Sequence, residues 1–364
     1  MERWIEVDIG KIRKNIIKMK NFTGRKFMAT VKSDFYGMGA EFLSKKIEDA
    51  VDYFGVATPS EAIQLKEKKV KKPILVLGPV LPSDVDELVM RGIEITLSGE
   101  EIFRKIRQIT KKREKKATVH IKVDTGMGRI GVKVEEAVDF FKKVVEEKGI
   151  FVKGIFTHLA TAEWRNKEYA KYQIDNFYKV LEEINKIKKV PLKHIANSAS
   201  ILNIPETYKN FDMIRIGLLT LGVYPEKYLS KKLKLDCALS GFCRILFLKE
   251  LPADKYLSYG ITYKTKKKTK IATLGIGYGD GLKRFLSNKF FLKWKGKKVK
   301  IIGNICMDQT LIDVSGKDVK IGDKIQIFGN NFEIEDMAKI GNTVPQEILC
   351  GFGSKRMVKV YKNG

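Results

Sequence analysis

The first 225 residues alternate short apolar runs with stretches whose apolar positions recur at helical spacing. Eight of the runs predict strands, at 27–32, 53–58, 73–78, 93–98, 118–124, 154–159, 193–198 and 213–222. Segments such as GAEFLSKKIEDAV and VEEAVDFFKKVVEEKG predict helices between them. Strands and helices in this alternation indicate a (β/α)8 barrel, and an open doubly wound sheet is the competing architecture.

After Tyr224 and Pro225 the pattern changes to β-rich segments separated by glycine, Lys-Gly and Asn-Asn turns. Only EIEDMAKIG and VPQEILCGF in this part have helical character. We therefore predict an α/β protein with a TIM-type barrel at residues 1–228 and a mostly β C-terminal domain at residues 229–364.

Length and composition agree with a globular protein of two domains. The chain has 364 residues, of which 44% are hydrophobic and 31% are charged. No apolar run approaches the ~20 residues of a membrane helix, and the N-terminus lacks the apolar core of a signal peptide. The four cysteines lie far apart without metal-ligand spacing. We therefore expect a cytoplasmic protein with no membrane partner and no metal.

The net charge of +27 raises the hypothesis of a nucleic-acid-binding protein. Such proteins interleave a basic stripe with exposed aromatic residues, whereas the lysines here are spread along predicted helices and turns among glutamates. This pattern is typical of the solvated Lys/Glu surfaces that thermophilic proteins favour. No specific nucleic-acid partner is expected, and any affinity at low salt would be incidental.

Polar residues gather at the carboxyl ends of the predicted barrel strands, where barrel enzymes place their chemistry. They are Lys32, Tyr36, Lys122, Asp124, Arg129, His158, His194, Asn197, Ser198, Arg215 and Gly217. Singly, each has an ordinary explanation, and Asn197 with Ser198 could simply cap a helix. Together they offer a lysine, hydroxyls and glycine-rich backbone suited to an anion. That combination points to pyridoxal phosphate held by a lysine as a Schiff base.

The stretch VKSDFYGMG at 31–39 resembles the cofactor-lysine motif of the alanine racemases, usually VKANAYGHG. The likeness continues in family order through FGVATPSEA, VHIKVDTGMGRIG, THLATAE, HIANSAS, FDMIRIG, SYGITY, IATLGIGYGDG, NICMDQTLIDV and VPQEILC. It covers almost the whole chain. The resemblance implies a pyridoxal phosphate enzyme that interconverts L-alanine and D-alanine and supplies D-alanine for cell-wall peptidoglycan.

The resemblance also implies the catalytic pair. Lys32 is similar to the Schiff-base lysine, which serves as the base on the D face of the substrate. Tyr259 resembles the opposing base for the L face and would reach in from the second subunit of a homodimer with shared active sites. Arg215 resembles the arginine that faces the pyridine nitrogen, and His158 resembles its link to Tyr259.

Further residues match the family's binding positions. The resemblance implies cofactor contacts for Tyr36, His158, Asn197, Ser198, Arg215, Gly217, Leu218 and Tyr278. Arg129 and the backbone of Met307 resemble the groups that hold the substrate carboxylate and the cofactor oxygen. Asp308 follows in the same turn, and Lys122 matches a lysine that is often carbamylated.

The chain departs from the family pattern at several positions. Met38 stands in place of a histidine, Ile216 in place of a proline and Gly279 in place of an alanine. Gln346 stands where a tyrosine commonly crowds the substrate pocket. This last change predicts a broader or shifted specificity, with serine as the example.

Two other barrel-type functions use the same lysine. An amino-acid decarboxylase would need a different site for the leaving carboxylate, and the SYGITY and NICMDQ segments favour a racemase. A non-catalytic pyridoxal phosphate-binding protein of the single-domain type would consist of a barrel alone. This chain has a further β domain that contains Tyr259.

Overall fold

The structure is a computed structural model, and it describes residues 1–331 and 333–363. The strands of the first part of the chain are β1 (Arg3–Asp8), β2 (Lys26–Thr30), β3 (Tyr53–Val56), β4 (Ile74–Val76), β5 (Glu94–Leu97), β6 (Ala117–Asp124), β7 (Val132–Lys133), β8 (Ile150–Phe156), β9 (Leu192–His194) and β10 (Met213–Ile216).

Eight of these strands form a parallel barrel. Strands β2 to β6 pair in chain order, β8 and β9 continue the sheet, and β10 pairs with β2. Between β9 and β10 the Asp212 amide donates to the Lys193 carbonyl at 2.9 Å, and the Arg215 amide donates to the Ala196 carbonyl at 3.1 Å. These bonds close the sheet. The predicted (β/α)8 barrel is confirmed, and the short β7 pairs with β6 beside it.

Helices connect the strands. They are α1 (Ile9–Thr23), α2 (Lys32–Gly37), α3 (Ala40–Ile47), α4 (Pro59–Glu67), α5 (Val85–Met90), α6 (Glu100–Arg113), α7 (Val134–Glu146), α8 (Glu168–Ile187), α9 (Ser200–Asn203) and α10 (Glu206–Lys209). Thr58 begins α4 with a capping box, because its hydroxyl accepts from the Glu61 amide while the Glu61 carboxylate accepts from the Thr58 amide. Within the described ranges, no helix has both the length and the apolar character needed to cross a membrane.

The second part of the chain is a mostly antiparallel sheet, as predicted. Its strands are β11 (Leu239–Leu251), β12 (Tyr256–Leu257), β13 (Tyr263–Lys264), β14 (Thr269–Leu274), β15 (Phe291–Trp294), β16 (Lys297–Ile301), β17 (Thr310–Asp313), β18 (Lys324–Phe328) and β19 (Val358–Lys362). The main sheet has the order β14-β17-β16-β15-β18-β11-β1-β19, and β12 pairs with β13 separately. The two predicted helices are α11 (Glu333–Ile340) and α12 (Pro345–Phe352).

The N-terminal strand belongs to this second sheet and not to the barrel. Strand β1 pairs antiparallel with β11 and parallel with β19, so Trp4 lies opposite Phe242 on one side and Val358 on the other. Ile5 and Val7 are fully buried there. Sequence reasoning assigned residues 1–228 to the barrel and predicted no strand here. The pairing partners lie more than 200 residues away, which no local pattern reveals.

The two parts share one continuous hydrophobic core, and two glycines lie in close contact between them. A Cβ atom added at Gly37 would lie 2.2 Å from the Cα atom of Gly353. Gly37 also has a φ of 79°, which side chains other than glycine rarely adopt. Since Gly37 ends the segment that begins with Lys32, this contact fixes α2 against α12.

We expect Gly37→Ala to lower the free energy of unfolding by about 2–4 kcal/mol, from the left-handed backbone cost plus displacement of Gly353. Gly24 is the matched control, because its φ is 66° and no atom lies within 4 Å of an added Cβ. Gly24→Ala should cost only about 1 kcal/mol. Urea unfolding measures both, and equal losses would contradict the crowding at Gly353.

Candidate active site

The carboxyl ends of the barrel strands surround a cavity of about 870 Å³. Most of the sequence-predicted site residues line it, namely Lys32, Tyr36, Lys122, Arg129, His158, Asn197, Ser198, Arg215, Gly217, Leu218 and Gln346. All but Gln346, which comes from the first turn of α12, follow or end a barrel strand. The strands stop earlier than predicted, so most of these side chains stand on loops, which is the usual arrangement of barrel sites.

Lys32 enters the cavity from a strained segment. The four residues Ser33 to Tyr36 all have left-handed backbone, with φ between 51° and 58°. Each such residue costs about 1–2 kcal/mol. Burial of the Phe35 and Tyr36 side chains and hydrogen bonds from Ser33 to Glu61 at 2.6 Å and from Ala40 to Asp34 at 2.7 Å hold the turn. Strain of this kind concentrates at functional sites.

The turn brings Tyr36 against β10. A Cβ added at Gly217 would lie 2.1 Å from the Tyr36 hydroxyl oxygen. The Gly217 amide donates to the Ser198 hydroxyl at 3.3 Å. Two hydroxyls and glycine backbone thus form a small polar cradle at one end of the cavity, with the chain continuing into the 3-10 turn Leu218–Leu221.

Asn197 has a local structural role. Its carboxamide oxygen accepts from the Ser200 amide at 2.9 Å, and its own amide donates to the Ser200 hydroxyl at 2.9 Å. This reciprocal pair caps the short α9. Asn197 therefore lines the cavity while fixing the neighbouring Ser198.

Arg215 lies inside the barrel with only 5% of its surface exposed. Its guanidinium donates to the carbonyls of Thr157 at 2.8 Å and Ile195 at 3.1 Å. It also contacts His194 Nδ1 at 3.0 Å and His158 Nδ1 at 3.2 Å. Because a guanidinium only donates, both Nδ1 atoms accept, and each histidine carries its proton on Nε2.

Burial and mutual repulsion shift the titration of this cluster. Burial lowers the pKa of Arg215 to about 9, so the side chain is still a cation at neutral pH. Burial and then Arg215 hold the pKa of His158 well below its usual range. The histidine is therefore neutral when Arg215 is charged.

Lys122 sits among other cations. Burial, followed by Arg129 and Arg215, lowers its pKa to about 7. Its Nζ lies 5.5 Å from the centre of the Phe156 ring. Burial, followed by Arg129, also lowers the pKa of Lys32. The cavity therefore concentrates positive charge that is suited to binding anions.

Four predicted site residues lie outside this cavity. Tyr259 is 73% exposed and Met307 is 53% exposed. Tyr259 and Tyr278 line a separate concavity of the second part of the chain with Lys283, Arg284 and Ile305. Asp308 pairs with Arg356 at 2.6 Å. Within one chain, these residues and Lys32 are not neighbours.

A buried ion cluster, which sequence reasoning missed, holds the turn that carries Tyr278. The Gly279 amide of this turn donates to the Met307 carbonyl at 2.9 Å. Asp280 is fully buried and pairs with Arg3 at 3.1 Å and Arg356 at 3.0 Å. Its other oxygen accepts from the Gly277 amide at 3.0 Å. The cluster joins strand β1, the turn at Gly277 and the C-terminal segment, three regions that are distant in sequence.

Comparison with known proteins identifies the family. The alanine racemase N-terminal domain family matches residues 7–225, and the alanine racemase C-terminal domain family matches residues 238–361. The chain belongs to the alanine racemase family. The predictions of this family and of an enzyme are confirmed.

Relatives within the family cover the whole chain. Alanine racemase 1 of Caldanaerobacter subterraneus subsp. tengcongensis is 39% identical over 367 residues, which cover 98% of this chain and 94% of that protein. The alanine racemase of Halothermothrix orenii is 39% identical over 371 residues, 99% of this chain and 97% of that protein. A solved alanine racemase structure from Clostridium difficile 630 has a TM-score of 0.93 and 33% identity, covering 100% of this chain and 96% of that one.

Two departures from the alanine racemase motif have clear positions. Met38 is fully buried in the core, and the backbone carbonyl at this position, which any residue would supply, accepts from the Tyr361 hydroxyl at 2.9 Å. Gln346 lines the cavity, and its carboxamide oxygen is buried without a hydrogen-bond partner among the described residues. A buried acceptor of this kind favours a donor that arrives with a ligand.

Sequence reasoning also passed over Glu94 and His120. His120 is fully buried and Glu94 is 7% exposed. They contact each other at 2.8 Å between His120 Nε2 and a Glu94 carboxylate oxygen. The sequence could have indicated His120, because residues two apart in a strand lie on the same face and His120 stands two residues before Lys122 in β6. Polar residues inside apolar barrel strands require partners.

The Lys122 pKa predicts how stability changes with pH. Between about pH 7 and pH 10.5 the unfolded chain holds a proton at this lysine that the folded chain lacks. Lys122 therefore contributes a rise of about 1.4 kcal/mol per pH unit to the free energy of unfolding. Lys122→Met should remove that part of the slope. The exposed Lys133, with 75% of its side chain accessible, is the control, and Lys133→Met should leave the slope unchanged.

Urea unfolding across this pH range, in buffers free of carbon dioxide, measures the difference. An unchanged slope in Lys122→Met would contradict the lowered pKa. A neutral amine is also the form that adds carbon dioxide, so the same pKa favours carbamylation of Lys122, which the family resemblance left open. With ¹³C-bicarbonate, one carbamate resonance should appear and be lost in Lys122→Met.

Proposed function

We propose that this chain is a pyridoxal phosphate-dependent racemase that interconverts L-alanine and D-alanine and supplies D-alanine for the cell wall. One observation carries the proposal: the half-buried Lys32, the polar cradle at Gly217 and the donor-only Arg215 face the same cavity at the mouth of the barrel. Membership in the alanine racemase family supports the same substrate.

The residues of the cavity fit the cofactor. Gly217 has no Cβ, so the Tyr36 hydroxyl can lie against its backbone, and the Ser198 hydroxyl contacts its amide; these two hydroxyls suit a phosphate. Lys32 is the amine that can hold the cofactor covalently. Arg215 would donate to its ring nitrogen. When bound, pyridoxal phosphate acidifies the Cα–H bond of an amino acid by accepting electron density into its ring.

Racemisation needs a base on each face of Cα, one that removes a proton and one that returns a proton to the opposite face. Lys32 serves the D face. Its pKa is lowered by burial and by Arg129, which increases the fraction of neutral amine that can accept a proton. Tyr259 of the second subunit serves the L face.

Arg215 and His158 support this pair in different ways. Arg215 is donor-only and stays charged, so it would hydrogen-bond the ring nitrogen of the cofactor without transferring a proton to it. His158 accepts from Arg215 at Nδ1, which leaves its Nε2–H to donate to the Tyr259 oxygen of the second subunit in the proposed dimer.

A homodimer completes the site. Tyr259, Ile261 and Met307 are all more than half exposed in the single chain and lie on one surface of the second part. We propose that this surface covers the cavity of the other subunit and brings Tyr259, Tyr278 and the Met307 backbone to it. Arg129 and the Met307 amide then hold the substrate carboxylate.

The test is subunit complementation. Lys32→Ala and Tyr259→Phe should each abolish conversion of L-alanine to D-alanine, because each removes one base. An equal mixture should regain about a quarter of wild-type activity, since half of the dimers are mixed and each mixed dimer contains one intact site. Chiral chromatography of the product measures the conversion.

The control mixture pairs Lys32→Ala with a chain that carries both substitutions, because no dimer of that mixture has an intact site. If subunit exchange is demonstrated by a size tag and the first mixture stays inactive, the shared site is wrong. If Lys32→Ala keeps a cofactor attachment that borohydride reduces, the assignment of Lys32 is wrong.

Gln346 supports a broadened specificity within this function. The common tyrosine would present a rigid ring towards the methyl group of alanine, whereas glutamine is slimmer and has a buried oxygen free to accept. A substrate hydroxyl could donate to that oxygen. We propose that L-serine is racemised alongside L-alanine.

Gln346→Tyr should lower the ratio of kcat/KM for serine to that for alanine at least about tenfold, through lost space and a lost acceptor. Gln346→Met keeps the length and removes the acceptor. A ratio in Gln346→Met like that of the wild type would assign the effect to space, and a fall would assign it to the hydrogen bond. An unchanged ratio in Gln346→Tyr would show that this residue does not set specificity.

A further inference from the structure

All three histidines of the protein belong to one network of hydrogen bonds inside the barrel. From Arg215 Nη1 the contacts run to His194 Nδ1 at 3.0 Å, and from His194 Nε2 to His120 Nδ1 at 2.9 Å. His120 Nε2 then contacts a Glu94 carboxylate oxygen at 2.8 Å. His158 branches from Arg215 at the cavity.

The chemistry of the two ends sets the direction of this chain. Arg215 can only donate, so His194 accepts at Nδ1 and has its proton on Nε2. That proton is donated to His120 Nδ1, and His120 in turn donates from Nε2 to Glu94. An ionised carboxylate only accepts, so the last bond also fits. Every bond is made when Arg215 is a cation, Glu94 is an anion and both histidines are neutral.

With both histidines neutral, the only alternative that keeps every bond reverses all of them. It requires a protonated Glu94 that donates to His120 and a deprotonated Arg215 that accepts from His194. The charge of Arg215 is therefore linked to the ionisation of Glu94, although the two side chains share no contact. Hydrogen bonds in such a series polarise one another inside a protein.

The surroundings of the two ends differ. Lys122 and the neutral His158 face Arg215, and Arg129 and Lys32 add positive charge to the same cavity. Asp124, near Lys122, is directed to the backbone amides of its own loop.

At the other end, Tyr53 faces Glu94, and burial together with that carboxylate raises the pKa of the Tyr53 hydroxyl. Arg215 is connected to the Glu94 carboxylate by the hydrogen bonds of His194 and His120.

We infer that Glu94 is the buried counter-ion of Arg215, coupled to it through His120 and His194. Glu94 and His120 are positioning residues: they touch neither cofactor nor substrate and act by keeping Arg215 charged and oriented. The consequence for catalysis rests on the proposed function. The coupling itself is a property of the fold and can be measured without any reaction.

A double-mutant cycle on the full-length chain tests the coupling by urea unfolding, with and without pyridoxal phosphate. Glu94→Gln removes the charge and keeps the shape, and it should lower the folding equilibrium constant at least about 100-fold, because it leaves a buried cation unpaired. In an Arg215→Met background, Glu94→Gln should lower the folding equilibrium constant less than about tenfold. In Arg215→Lys, which keeps the charge, the loss should again match the wild type.

Thr96→Val is the matched control. Thr96 is fully buried on the same strand, and its hydroxyl has no hydrogen-bond partner in the described part of the chain. This change should leave stability nearly unaltered. Equal effects of Glu94→Gln in all three backgrounds would overturn the inference. Coupling that appears only when pyridoxal phosphate is present would trace to cofactor affinity and would also overturn it.

Histidine tautomers give a second measurement that needs no variant to fold. With ¹⁵N-labelled histidine, the wild-type enzyme has only three residues to observe. All three should be neutral with the proton on Nε2. A proton on Nδ1 of His120 or His194, or a doubly protonated ring at either, would reverse or break the chain and overturn the inference. Neither measurement depends on racemase activity, so this inference and the proposed function can fail separately.

Discussion

A guanidinium buried inside a barrel is the constraint on which the rest of the site depends. Arg215 has five N–H donors and almost no access to water, so the barrel must supply acceptors. It does so with the carbonyls of Thr157 and Ile195, at the ends of two neighbouring strands, and with two histidine rings. Satisfying Arg215 therefore fixes the positions of the loops after β8 and β9 and the tautomers of both rings.

Next to Arg215, the segment that follows β2 has a strained backbone that packing holds in place. Four consecutive left-handed residues follow Lys32, and an isolated peptide would not adopt this turn. Burial of Phe35 and the close contact of Gly37 with Gly353 hold it in place. The same contact joins the barrel to the second part of the chain, so the position of Lys32 depends on the packing between them.

Electrostatics then determine what the cavity can hold. Lys32, Lys122, Arg129 and Arg215 line one cavity, and burial followed by repulsion from the neighbouring cations lowers the pKa values of both lysines. An anionic ligand relieves it, and a phosphate together with a substrate carboxylate provides such charge. Carbon dioxide bound to Lys122 would also relieve the repulsion, since it converts an amine with a lowered pKa into an anion beside Arg129.

Residue patterns alone were enough to predict the class of fold and most of the residues that line the cavity. Strand and helix periodicity are local, and parallel strands of a barrel must place their carboxyl ends together, so the sequence alone was enough to group Lys32, Lys122, His158 and Arg215. Three further features could be seen only in the folded protein. Strand β1 joins a sheet more than 200 residues away, Asp280 gathers arginines from both ends of the chain, and Glu94 reaches Arg215 through two rings. These contacts depend on distances between segments that are remote in sequence, and local periodicity carries no information about such distances.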